Sequence, residues 1–344
     1  MPGAKTDRVS AQRYVLLFVL FFLISLGLGY PILNRIDWQR APGGLTDLQE
    51  YARLVTAPPT PDPELHTQFR VLIPYVARPI YWFARTHSGS WDPVMFGLLV
   101  ANSLFVAGTV TILLAIVLRQ IGSYPVALGS AMLYLVDFAV PNLRLYGFID
   151  SGEAFFLVVV LWSLTRERYC TLPLWAILGA LAKESFVPFL IVFTATWWLV
   201  CRPKNLRSRS QLGWVLVSWA AGLSALTLLQ WRITGVFRSP LQFGIQLHHE
   251  SHYLAHFVRI LSDRNLWYTF IWLLPLSIPR LSRLPSPWRA ATAATCICAL
   301  VLDAYYGAAA GAMARALFTI AGPLLTASAA WVLFEPRAAL RNFE

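Results

Sequence analysis

Charge is scarce in this chain. Asp, Glu, Lys and Arg make up 13% of its 344 residues, about half the share found in ordinary soluble domains. Lysine is rarer still, with only Lys5, Lys183 and Lys204. There is no internal repeat and no low-complexity tract, and paired repeats are the usual mark of a secondary transporter. The four cysteines, Cys170, Cys201, Cys296 and Cys298, have no metal-ligand spacing, and the last two lie inside an apolar run. Neither a disulfide framework nor a zinc site is expected from them. What is abundant is apolar: 57% hydrophobic residues, 14 tryptophans and a mean hydropathy of +0.56. This composition excludes a soluble domain and describes a polytopic membrane protein. The net charge of +11 would suggest nucleic acid in a soluble chain. Here it comes from arginine in short loops between apolar runs, as the positive-inside rule requires, so no nucleic-acid partner is expected.

A membrane span needs about 20 apolar residues. Eight runs qualify: 14–33, 94–118, 124–140, 154–166, 212–231, 265–279, 290–306 and 312–334. The first follows a basic start (Lys5, Arg8, Arg13) and has no small-residue cleavage pattern after it, so it reads as a retained anchor. The stretch 172–200 is one long helix or two short ones. The loops on either side of it, 166–171 and 201–211, both carry arginine and both belong on the cytoplasmic side. Two ends on one side require two crossings, so 172–200 is expected to be a hairpin with Lys183 and Glu184 at its tip. Each arm is only about 20 Å of helix, too short for a full bilayer unless the tip lies in a cavity within the protein. The expected fold is then an all-α integral membrane protein of about ten transmembrane helices and a single domain (1–344), with both termini cytoplasmic. Two long outer loops, 34–93 and 232–264, face the other side. The segment 71–86, apolar but short and carrying Pro74, Arg78 and Pro79, is expected to lie as an interfacial helix in the first of them.

This topology gathers the intramembrane charges on one side. Asp37, Asp47, Asp137, Asp150, Glu153, Lys183, Glu184, Asp303 and Arg315 all fall at outer span ends or just beyond. Polar span ends are ordinary, yet charged groups within membrane segments are costly and mark functional sites by default. Asp47 has a plain alternative as a helix N-cap residue. Arg70, at the membrane surface, can bind a phosphate bidentately or act as an interface anchor.

Several short elements, taken in order, resemble the polyprenyl-phosphate-dependent GT-C glycosyltransferases. After the first span comes T-D-x-x-x-Y-A (Thr46 to Ala52), then R-x-L-x-P (Arg70 to Pro74). YGFIDSGE (146–153) opens a later span, A-x-x-K-E stands at 180–184, and R-x(7)-P runs from Arg315 to Pro323. The resemblance implies a small bacterial variant without the family's soluble C-terminal domain, working in the inner (plasma) membrane. It implies inverting transfer of a sugar from a polyprenyl-phosphate carrier to a glycan, lipid or protein acceptor on the outer face, with an acidic residue of the first loop as base.

An inverting transfer needs a carboxylate to deprotonate the acceptor hydroxyl, and cations or a metal to stabilise the departing phosphate. Asp47 matches the base-bearing element; Asp37, closer to the first span, is the rival. Arg70, Lys183 and Arg315 are the phosphate candidates, and a divalent cation (Mg or Mn) is a further option. Asp150, Glu153 and Glu184 can orient sugar hydroxyls or hold Lys183. The second outer loop carries His248, His249, His252 and His256. His248, His252 and His256 share a helix face if that segment is helical. Such a face can bind a metal, although H-E-x-H at 249–252 is one residue short of the metalloprotease pattern; His249 and His252 are otherwise acceptor-binding or proton-transfer groups, or part of a plain solvated or interfacial face. Arg259, Asp263 and Arg264 follow and can pair along the same helix. Two other classes compete with the enzyme: a membrane transporter, and a non-catalytic component of an envelope-glycan assembly in which pairs such as Lys183 with Asp150 are structural.

Overall fold

The computed structural model describes residues 11–34, 46–59, 66–87, 89, 91–201, 207–237, 253–306 and 311–335, and these contain helices and no strand. Asp37, His248, His249 and His252 lie outside them. Fourteen α-helices run in chain order among the described residues: α1 (Ala11–Gly29), α2 (Thr46–Thr56), α3 (Leu72–His87), α4 (Pro93–Ile121), α5 (Tyr124–Val136), α6 (Asp150–Thr165), α7 (Leu172–Ala182), α8 (Phe186–Cys201), α9 (Arg207–Thr234), α10 (Tyr253–Leu261), α11 (Arg264–Phe270), α12 (Leu273–Leu281), α13 (Ser286–Tyr306) and α14 (Ala312–Phe334). Helices α1, α4, most of α9 (Arg209–Thr234) and α14 are long and apolar enough to cross a membrane. Each of the eight apolar runs falls on helix, with 265–279 divided between α11 and α12.

Helix α4 is the hub, packing against α1, α3, α5 and α6. Its limits are written in its sequence. Asp92 caps the start, its Oδ1 accepting from the amides of Val94 (2.8 Å) and Met95 (3.1 Å), and Pro93 follows, where a missing N–H costs nothing. Gly122, with φ at 77°, closes the far end in the left-handed conformation. Between them the helix is apolar on every side, the pattern of a helix buried within a larger assembly. Where α3 crosses it, a Cβ on Gly97 would stand 2.9 Å from the Ala77 carbonyl oxygen, so only glycine allows that approach.

The stretch 172–200 is two helices, broken at Lys183-Glu184-Ser185. Lys183 is extended (φ −163°, ψ 138°), and its amide still closes on the Gly179 carbonyl. Pro188 sits in the first turn of α8, where helices tolerate proline. The aromatic ring of Phe186 folds back onto Gly179, where a Cβ would meet it at 2.3 Å. Tyr169, just before α7, lies beside Trp197 near the end of α8, so the two arms return to the same end of the bundle. Helix α7 packs along α9, and α8 packs along α13. The 71–86 segment forms α3, which presents Tyr75, Trp82 and Phe83 outward while Arg78 donates to the Leu54 and Ala57 carbonyls at the end of α2 (2.9 Å each).

Candidate functional site

Seven charged side chains from five segments meet at one end of the bundle. Asp47 lies in the first turn of α2, and Arg70 lies just before α3. Asp150 and Glu153 open α6, where the positive end of the helix favours acids. Lys183 and Glu184 form the hairpin tip, and Arg315 is in the first turns of α14.

Two sub-networks share the hairpin tip. In the first, Arg70 is 8% exposed. Its Nε donates to both Glu184 carboxylate oxygens (2.7 and 3.1 Å), and its Nη2 donates to Glu184 as well. Its Nη1 donates to the Tyr51 hydroxyl and stands 3.6 Å from Asp47. Burial works against the Arg70 charge, but Glu184, Tyr51 and Asp47 outweigh it and raise its pKa above the ordinary value. Burial also pushes the Tyr51 hydroxyl up, against the pull of Arg70, so it stays a neutral phenol. In the second sub-network, Lys183 Nζ donates to Asp150 (2.6 Å) and Glu153 (3.1 Å). Ser185 donates to the other Glu153 oxygen at 2.6 Å, and Arg315 donates to the second Asp150 oxygen at 3.2 Å. The Arg315 guanidinium also lies over the Phe148 ring, 4.4 Å from its centre.

Four carboxylates therefore face three cations, and each cation is held by at least one of them. The exposures differ usefully. The side chains of Asp150 and Glu153 are 3% and 0% exposed, whereas Asp47 is 34% exposed. Of the four, Asp47 is the one a second molecule can reach with least rearrangement.

Beside this network lies a cavity of about 480 Å³, bounded by His256, Arg259, Ile260, Asp263, Arg264, Asn265, Tyr268, Asp303 and Met313. Asp303 feels the charges of Lys183 and Arg315, which ties the cavity to the network. The cavity meets, at Ile260, an apolar groove of about 1040 Å³ between α11–α12 and α13–α14. Ser282, Arg289 and Thr292 are the polar residues of a groove otherwise lined by side chains such as Leu266, Phe270, Leu274, Leu317 and Leu324.

The sequence-based site is brought together at Asp47, Arg70, Asp150, Glu153, Lys183, Glu184 and Arg315; Asp37, His249 and His252 lie outside the described residues. Asp137 does not join this site. It ends α5, its Oδ1 accepts from the Ala139 amide (2.9 Å), and its charged neighbour is the fully buried Arg144. The pairing of Arg259, Asp263 and Arg264 along one helix is also not what forms. The helix breaks at Ser262, and Asp263 becomes the cap of α11, accepting from Asn265 (2.9 Å) and from the Gly311 amide (2.5 Å). Tyr51, Ser185 and the α10–α11 cavity were not singled out from sequence; Tyr51 does stand within the T-D-x-x-x-Y-A element. Among the described residues, no group of three or more His, Cys, Asp and Glu side chains is arranged to hold a metal. No protein-family model matches the chain, and no curated protein is similar to it.

Proposed function

We propose that the chain is a membrane glycosyltransferase of the GT-C type, with about ten crossings. In this reading it moves a sugar from a polyprenyl-phosphate donor to an acceptor at the membrane surface, with inversion. One observation carries the reading: a charged network adjoins a cavity bounded by charged side chains, and that cavity shares Ile260 with an apolar groove. A lipid-linked sugar has the same three-part chemistry of reacting carbon, polar head and long apolar chain, and the groove gives the chain a place along the bundle.

In the proposed step, the Asp47 carboxylate takes the proton of an acceptor hydroxyl. The acceptor oxygen bonds to the anomeric carbon from the face opposite the phosphate, and the bond between that carbon and the phosphate oxygen breaks. The lipid phosphate leaves with the bonding electrons. Asp47 suits the base because it is part-exposed and its one close cation stands at 3.6 Å rather than in a bidentate grip. Glu184 is clasped by Arg70, and Asp150 and Glu153 are enclosed around Lys183; we assign these three to holding the hairpin tip in place.

The test is release of polyprenyl phosphate from a panel of lipid-linked sugars by the purified chain, with Asp47→Asn, Asp37→Asn and Asp303→Asn in parallel. Removing a general base costs about 10²- to 10⁴-fold in rate. The expected result is that loss for Asp47→Asn with its thermal unfolding unchanged. If the loss follows Asp303→Asn or Asp37→Asn instead, the base is reassigned. If donors bind without turnover and none of the three variants alters binding, the transferase reading is abandoned for a carrier or a scaffold.

A further inference from the structure

We infer that the phosphate of the lipid-linked substrate is held by Arg259 and Arg264 at the α10–α11 turn, with the first polar unit beyond it directed at Asp303. This rests on the lipid-substrate reading above but moves its anionic site away from Arg70, Lys183 and Arg315. Those three cations stand in a network with one more carboxylate than cation, and Arg70 and Lys183 already hold two acidic partners each. A phosphate entering there would have to displace a carboxylate from a buried cation and then face the carboxylate it displaced.

Arg259 and Arg264 differ on each point. Both are exposed and line the cavity, and neither is in an ion pair or side-chain hydrogen bond among the described residues. Asp263 also lines the cavity; its oxygens are turned to Asn265 and the Gly311 amide, and its single charge stands against the two guanidinium groups. Asp303 lines the same cavity, and one of its oxygens is buried with no hydrogen-bond partner. A buried acceptor without a donor is costly, and a sugar hydroxyl is a donor of suitable size. Ile260, next in sequence to Arg259, is shared by the cavity and the apolar groove. The order along the path is then chain in the groove, phosphate at the two guanidinium groups, and hydroxyl-bearing head toward Asp303. Guanidinium groups suit the task because their fixed donor geometry matches phosphate oxygens.

The experiment measures retention of radiolabelled farnesyl phosphate by the full chain in detergent, with farnesol, phosphatidic acid and inorganic phosphate as competitors. The Arg259→Gln/Arg264→Gln double variant is compared with Arg166→Gln/Arg168→Gln at the other end of the bundle. We expect the first pair to weaken farnesyl phosphate binding by about tenfold or more, from two lost charge-assisted contacts, and the second pair to leave it unchanged. Thermal unfolding of both should match the parent. Farnesol should compete poorly. Equal binding by parent and Arg259/Arg264 variant, or equal loss in both double variants, overturns the assignment. Competition by phosphatidic acid as strong as by farnesyl phosphate makes this a bilayer-lipid site. Competition of that strength by inorganic phosphate makes it a free-anion site. Either result removes the lipid-linked substrate from it. If farnesyl phosphate binds as predicted yet no lipid-linked sugar is turned over, the site stands and the transferase reading fails.

Discussion

At one end of the bundle, Arg70 and Arg315 are gripped by carboxylates that arrive from distant segments. At the other, Arg166 and Arg168 lie over the Trp162 ring, 5.9 and 5.4 Å from its centre, with Arg119 near enough to repel them. Partial burial and the like charges of Arg119 and Arg168 pull the Arg166 pKa below its ordinary value. The same end holds the Arg280 and Arg283 contacts to Glu335 just beyond α14, the latter at 3.9 Å, and Phe334 packs there against Gly129 near the start of α5. The two ends contain the same residue type put to different uses. Arginine at a helix end is ordinary in a membrane protein and reports orientation. At the arginine end Arg280 also meets a remote acid, Glu335; at the other, seven charged groups from five segments interlock, and that end adjoins the α10–α11 cavity, while the apolar groove extends along the bundle to Ser282 and Arg289.

The largest effect that could break this contrast is all-or-none. Cys170 and Cys201, both exposed, flank the hairpin at the arginine end. In vesicles of known orientation, with Cys296 and Cys298 replaced by alanine, a membrane-impermeant maleimide should label both remaining cysteines from the same side. Labelling from opposite sides would mean that 172–200 crosses once, and the division into two ends would collapse.

Next in size is the hairpin tip. Lys183→Met leaves Asp150 and Glu153 enclosed without their shared cation, and orphaning a buried charge costs about 3–5 kcal/mol. Thermal unfolding in detergent should drop accordingly. Adding Glu153→Gln should recover part of that loss, because one orphaned carboxylate is then neutral; losses that simply add would show that the pair is not coupled. Arg70→Lys should cost less, about 1–3 kcal/mol, because a lysine keeps the charge but cannot span both Glu184 oxygens and the Tyr51 hydroxyl. A neutral outcome there would reduce the Arg70 fork to a simple point charge.

How much of this was legible depends on the kind of signal. The apolar runs are local, and each of them is helical in the fold. The division of 172–200 into two helices was expected from loop charge, because arginine on both sides favours an even number of crossings. The meeting of Arg70 with Glu184, 114 positions apart, is carried by no spacing. What the sequence offered was that both residues were charges in an apolar setting, and such charges find one another because the alternative is an unpaired charge in low dielectric. Arg144 shows where that reasoning stops. In PNLRLYG it looks like a loop arginine, yet it is fully buried, donating to the Tyr134 and Thr319 hydroxyls from a short π-helical turn. Helix spacing also put Arg259, Asp263 and Arg264 on one helix, which they do not share. A cap formed by Asp263 across to Gly311 breaks the helix there, and a contact that long cannot be seen in a local pattern. The α10–α11 cavity lies at that break.

The smallest expected effect sharpens the contrast most. Arg166→Gln and Arg168→Gln, singly or together, should change the thermal stability of the purified chain by no more than about 0.5 kcal/mol per site, as exposed substitutions usually do. Two opposed effects keep the change small: removing one of three crowded cations relieves repulsion, while the cation–π contact given up at an exposed site is worth about 0.5–1 kcal/mol. Their consequence should fall instead on insertion, as a larger fraction of molecules with the 166–171 loop on the wrong side of the membrane, read by the same maleimide accessibility at Cys170. A stability loss comparable to that of Lys183→Met would mean that the arginine end is a second tertiary network, and the burial of charge at the hairpin tip would then no longer single out one end as the site.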